Sequence, residues 1–222
     1  MTLDRVKALA EAAGLSWRGA FHPGAEDLPG AAVAGTIILL GFVGGENWAA
    51  FSSSPEYDDG EPHALDRWSH RVISALAMDI GATPYFPFTG PPFAPFMQWA
   101  AKAEPVRQSA IGMMIHPDFG TWHAWRGALL FEEKFKLPSK DERPNPCDAC
   151  REKPCLSACP VNAFADGAYD VSACDSHLRE EEGADCTARG CRARRACPVG
   201  ARYRYGAEQA AFHMRAFIGR AR

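Results

Sequence analysis

All eight cysteines of this chain lie between positions 147 and 197 of its 222 residues. The first four read C-x2-C-x4-C-x3-C-P, as Cys147, Cys150, Cys155 and Cys159 followed by Pro160. The second four are Cys174, Cys186, Cys191 and Cys197, the last again followed by a proline, Pro198. Crowded thiolates that end on a Cys-Pro step are the pattern of iron–sulfur ligands. The bacterial ferredoxin run is C-x2-C-x2-C-x3-C-P, and its fourth cysteine serves the other cluster of a pair. Here the second gap is two residues longer than in that run. Eight thiolates in two sets of four are the count for two [4Fe–4S] clusters.

Two other uses of cysteine compete with this one. A disulfide framework needs an oxidising compartment. The N-terminal MTLDRVKALAEAAGL mixes charged and apolar residues like a surface helix and has no apolar signal core. Zinc held by four thiolates favours two separated C-x2-C knuckles. This chain has one, and its second set is spaced 12, 5 and 6 residues apart. The ferredoxin rule then predicts crossed ligation. One cluster would take Cys147, Cys150, Cys155 and Cys197, and the other Cys159, Cys174, Cys186 and Cys191.

Charge is unevenly spread. Residues 187–222 carry nine arginines against one acid, Glu208, although the whole chain has a net charge of −3. Arg189, Arg192, Arg194, Arg195, Arg202 and Arg204 surround the last two cysteines. They fit local neutralisation of anionic clusters, or a landing patch for nucleic acid or an acidic redox partner.

Hydrophobic periodicity predicts a helix over 3–13 and another over 65–80, where Leu65, Trp68, Val72, Ile73, Leu76 and Ile80 recur at helical spacing before Gly81. Strands are expected at 16–22, 35–41 and 83–89, and a short helix at 95–102. A hairpin is expected from 111–116 and 122–131, with His116-Pro117-Asp118-Phe119-Gly120 as its turn. Residues 44–64 read as a long loop, 137–146 as a linker, and 208–218 as a last helix. The longest apolar stretch, 31–43, is broken by Gly35 and Gly41. No run reaches the 18 or more apolar residues of a membrane span, so a cytoplasmic protein without membrane contact is expected. The layout is an α+β fold in two parts: residues 1–136 as a scaffold domain, and 137–222 as a redox module with a C-terminal helix.

No G-x-G-x-x-G, P-loop, H-E-x-x-H or G-x-S-x-G motif is present. Gly41-Phe42-Val43-Gly44-Gly45 reads as a strand-ending turn rather than a phosphate loop. The densest polar–aromatic stretch runs from Ile115 to Arg126. His116, Asp118 and Arg126 are its candidate cofactor-binding residues, against the alternative that His116 and Asp118 shape a turn while Trp122 and Trp125 pack the core. No catalytic residue is identified.

Taken together, these segments resemble the epoxyqueuosine reductases and their relatives the reductive dehalogenases. The resemblance rests on the cysteine order and on three weaker matches: Leu28-Pro29-Gly30, Phe88-Thr89-Gly90-Pro91, and the turn from Ile115 to Trp122. It implies a nitroreductase-like domain that binds a corrinoid (cobalamin), followed by a ferredoxin-like module with two [4Fe–4S] clusters. It also implies a small electron donor such as a flavodoxin or ferredoxin. Phe88 stands where the family has an Asp proposed as proton donor. The expected function is an iron–sulfur oxidoreductase that passes electrons to a cofactor or substrate in the N-terminal domain. The alternatives are a non-catalytic electron carrier or cofactor-handling protein, and a nucleic-acid-binding protein with structural clusters.

Overall fold

The computed structural model describes residues 1–28 and 32–220. Pro29 and Gly30 of the early family-like segment lie outside the described residues. The chain is mixed helix and sheet, 45% and 15%. It divides into two compact units, one of residues 1–105 and 123–142, the other of 106–122 and 143–222. Among the described residues, no helix is long and apolar enough to cross a membrane.

The first unit is built on a four-stranded antiparallel sheet. It opens with α1 (Leu3–Ala12), whose N-cap Thr2 accepts a hydrogen bond from the amide of Arg5. Strand β1 (Ser16–Phe21) pairs with β2 (Thr36–Val43). Every residue of β2 is buried, as an unbroken apolar strand requires when both sheet faces are covered. The expected loop at 44–64 instead contains two short helices, α2 (Trp48–Ser52) and α3 (Pro55–Asp58). Pro55 at the first turn is preorganised for a helix, and Trp48, Phe51 and Tyr57 meet edge to face at 5.3–5.7 Å.

Helix α4 (Ala64–Ile80) follows the predicted period and ends at Gly81, whose φ of 68° is the left-handed terminator that glycine supplies. Strand β3 (Thr83–Tyr85) and helix α5 (Phe96–Ala103) come next. The chain then adds β4 (Arg107–Gln108) and β5 (Met114–Ile115) to the second unit and returns to the first as β6 (His123–Phe131).

The order in the first unit is β1-β2-β6-β3. The hairpin expected between 111–116 and 122–131 does not form. Strand β5 pairs with β4, while β6 pairs with β2 and β3. The turn survives as a lone bridge between His116 and Gly120. The reason is burial. Residues Gly127 to Phe131 are all buried, and an apolar run of that length needs strands on both sides.

The second unit is a chain of short helices: α6 (Pro146–Ala149), α7 (Pro154–Ser157), α8 (Val171–Arg179), α9 (Ala184–Arg189), α10 (Arg192–Ala196) and α11 (Ala207–Arg220). Residues 106–122, expected to belong with the N-terminal part, pack into this unit. Ile111 is buried with Cys155, Cys159, Ala163 and Ala193, and Met113 packs against them. By packing, residues 106–122 thus lie with the cysteine-bearing segment rather than with residues 1–105.

Candidate functional site

All eight cysteines are free thiols. Each sits within a helix of nine residues or fewer or close beside one. Cys147 lies in α6, whose N-cap Asn145 accepts a hydrogen bond from the Cys147 amide at 3.0 Å. Cys155 lies in α7, Cys174 in α8 and Cys186 in α9, while Cys191 forms the N-cap of α10. Cys155, Cys159, Cys186 and Cys197 are buried, and the other four are half-buried.

The thiols influence one another in two groups. Burial pushes the Cys155 thiol up, and the neighbouring Cys197, Cys147 and Cys150 push it further. Cys197 is raised by burial and again by Cys147 and Cys150. Cys174 is raised by burial and by Cys159 and Cys186; Cys191 by burial and by Cys186 and Cys174. Cys159, Cys174, Cys186 and Cys191 also line one cavity, with Phe164, Leu178 and Met214 among its walls. Among the described residues, no three His, Cys, Asp or Glu side chains are close enough to hold one metal ion. A lone zinc at about 2.3 Å from each sulfur would draw its thiolates nearly into contact, whereas a cubane gives each thiolate its own iron.

Backbone amides face several sulfurs. The Ala163 N–H donates to Cys159 Sγ at 3.3 Å. The amides of Arg194 and Ala193 favour the Cys191 thiolate, and that of Val199 favours the Cys197 thiolate. Arg204 adds a positive charge near Cys197. Tyr169 stacks on Phe164 at 4.9 Å and hydrogen-bonds Cys174, and burial holds its hydroxyl far above the usual phenol range.

The three residues named for a cofactor pocket are divided between the units. His116 and Asp118 lie in the second, Arg126 in the first. His116 is buried and stacks on Phe119 at 4.2 Å, and its Nδ1 accepts the Asp118 N–H at 3.0 Å. Asp118 takes a bidentate pair from Arg143 at 2.6 and 2.8 Å. The turn they form lies against the loop after Cys197. A Cβ on Gly120 would fall 2.1 Å from the Val199 carbonyl oxygen, and one on Gly200 would fall 2.2 Å from the Phe119 carbonyl carbon. Both glycines have positive φ. Arg126 donates to Ser69 Oγ at 2.9 Å, pairs with Asp66, and lies 5.7 Å above the Phe88 ring. Of the two tryptophans read as core, Trp122 is buried. Trp125 is half-buried, with its indole N–H on Glu104.

Compared with known proteins, the sequence matches no family model and no curated protein.

Sequence reasoning missed a buried polar network in the first unit. Arg18, 1% exposed, donates to Glu104 at 2.6 Å, to the Phe42 carbonyl at 3.0 Å, and contacts His123 Nδ1 at 3.1 Å. These residues are 86 and 105 positions from Arg18 in the sequence for Glu104 and His123 respectively, so no local pattern announces them.

Proposed function

We propose that this chain is an iron–sulfur oxidoreductase with two [4Fe–4S] clusters held on crossed quartets of cysteine thiolates. In this reading it is similar to the epoxyqueuosine reductases, with a nitroreductase-like first part and a ferredoxin-like second part. The observation that carries the reading is the neighbourhood of the thiols. Cys197 groups with Cys147, Cys150 and Cys155, while Cys159 groups with the distant Cys174 and with Cys186. This is the exchange of Cys-Pro cysteines expected of a two-cluster ferredoxin pattern.

The donor set fits the clusters. Eight soft thiols suit iron–sulfur chemistry. Ile111, Ala163 and Ala193 pack with Cys155 and Cys159, and with Cys174 and Cys191 at the edge, in apolar surface that keeps water from them. Amide N–H groups aimed at the sulfurs stabilise thiolate and, with Arg204, favour the more reduced, more negative state. Bound clusters would supply one-electron transfer; the chain supplies ligands, insulation and field.

The corrinoid implied by the resemblance fits poorly to the residues named for it. His116 Nδ1, the Asp118 carboxylate and the Arg126 guanidinium are each engaged by partners within their own unit. No step is assigned to a corrinoid.

The test is anaerobic reconstitution with iron and sulfide, followed by metal analysis and electron paramagnetic resonance of the reduced protein. Two interacting [4Fe–4S] signals are expected. Zinc in place of iron, or no bound iron, would overturn the reading. Titration of the loaded protein with cobalamin then asks about the corrinoid, since a base-off spectrum saturating near one equivalent would restore it. A second reading, an electron carrier without turnover, is favoured by Phe88, which stacks on Phe86 at 5.3 Å and offers no proton.

A further inference from the structure

We propose that the second unit binds a phosphomonoester in a cavity of about 280 Å3 lined by Trp122, Arg189, Arg195, Arg204, Tyr205 and Ala207. Three guanidiniums and two aromatic rings around one concavity are the donor set that a phosphate carried on a small organic group requires. Guanidinium forks match phosphate oxygens two at a time, which an ammonium does not do.

The charge at this place is only partly balanced from within. Asp185 serves Arg195, Arg189 at 3.4 Å and Arg192 at 3.7 Å. One carboxylate is thus shared by three arginines, and Arg204 has no acidic partner among the described residues. Cluster neutralisation accounts for Arg204, which lies near Cys197. It gives no reason for the cavity that these arginines share with Trp122 and Tyr205.

Trp122 is 2% exposed, lines the cavity, and its indole N–H meets no acceptor among the described residues. A buried N–H left without a partner is rare in folded proteins and marks a place where one belongs. A phosphate oxygen is such an acceptor.

The aromatic part of the wall is braced before any ligand arrives. The Arg194 guanidinium sits 4.4 Å from the Trp122 ring and 4.5 Å from the Tyr205 ring, and donates to the Thr121 carbonyl at 2.5 Å. That brace holds both rings in place, so little order has to be imposed on binding. The cavity is larger than a bare oxyanion needs, and the aromatic surface beside the arginines selects an ester over free phosphate.

The experiment is isothermal titration calorimetry of the full chain, at matched iron content, with phenyl phosphate and with inorganic phosphate. One saturable site is expected, tighter for phenyl phosphate. Arg204→Gln and Arg189→Gln, both at exposed positions, should each weaken binding about tenfold, about 1.4 kcal/mol. Arg215→Gln, exposed on α11 and away from the cavity lining, should leave it unchanged. Lack of saturable binding would overturn the proposal. So would an equal loss in Arg215→Gln, which would mean diffuse charge, or binding of single-stranded RNA alone. Phosphate binding is read as heat and cluster content as bound iron, so failure of the iron–sulfur reading and failure of this one are separable.

Discussion

Arg18 and Glu104 form an ion pair at 2.6 Å with their side chains 1% and 6% exposed. The pair ties β1 to the residue that ends α5, and Trp125 adds an indole N–H to the same carboxylate at 3.3 Å. Burial pushes the Glu104 carboxyl up, and Arg18 opposes that push. Removing one partner of such a pair leaves an uncompensated charge in the interior. Arg18→Met is therefore expected to lower stability by about 3–5 kcal/mol in urea unfolding. In that variant Glu104 should take up its proton at higher pH than in the parent, so the loss should shrink as pH falls. A loss that does not vary with pH would show that Glu104 is not the group left exposed to burial.

Crossed ligation makes a paired prediction. Cys155→Ala and Cys197→Ala, 42 positions apart, should abolish the same resonance signal and each remove about half of the bound iron. Cys159→Ala should abolish the other signal. If Cys159→Ala and Cys155→Ala removed the same cluster, ligation would follow the order of the sequence instead.

Cluster loading should depend on pH in one direction. Burial raises the thiols of Cys155, Cys174, Cys191 and Cys197, so the protein without metal holds their protons more tightly than free cysteine does. Ligation needs thiolates and releases those protons. Loading is thus expected to strengthen as pH rises and to weaken as it falls. Proton release measured in weakly buffered solution during reconstitution checks this, and its absence would mean the thiols are already ionised.

Glu56 carries a second pH-dependent contribution, in the first unit. Arg71 donates to it at 2.5 and 2.8 Å and, as the largest cause, holds its carboxyl down at about 2. A carboxyl lowered on folding stabilises the protein above its unfolded value of about 4.3 and loses that contribution as pH falls toward 2. Arg71 is 55% exposed, so solvent screens the pair. Glu56→Gln should cost about 1 kcal/mol at pH 7, and the cost should shrink as pH falls from about 4 through about 2. An equal loss across that range would assign the effect to packing.

Gly120→Ala should destabilise the second unit more than an ordinary surface change does. The residue has a φ of 59°, and an added Cβ would meet the Val199 carbonyl oxygen at 2.1 Å. Backbone cannot rotate aside as a side chain can, so a loss of at least about 1–3 kcal/mol is expected. Protease sensitivity confined to residues 106–122 and 143–222 would be the signature. Gly112→Ala, also at positive φ but with open space around its Cβ, separates strain from collision.

Local periodicity made much of the first unit legible. The repeat from Leu65 to Ile80 gave α4 its face and Gly81 its end, and the apolar run to Val43 marked β2 as buried. Helices α2 and α3 were hidden because Ser, Pro and Asp disguise them as loop, and because one of the ring contacts that hold them, Phe51 on Trp68, comes from α4. The turn at His116 was visible, but the partners of the strands beside it were not. Strand pairing is decided by which buried surfaces meet, and β6 meets β2 and β3.

The amino-acid sequence by itself determined the number of thiols, their two Cys-Pro ends and the concentration of arginine beside them. Tertiary structure alone decided which thiols are neighbours, which wall shields them, and which arginines surround a cavity. Spacing along the chain restricts what a residue can reach, but burial and electrostatics act through space. Ile111 lies 44 positions from Cys155 and yet packs in the same apolar cluster. Local pattern cannot encode a contact of that kind, because its free energy exists only once distant surfaces have left water together.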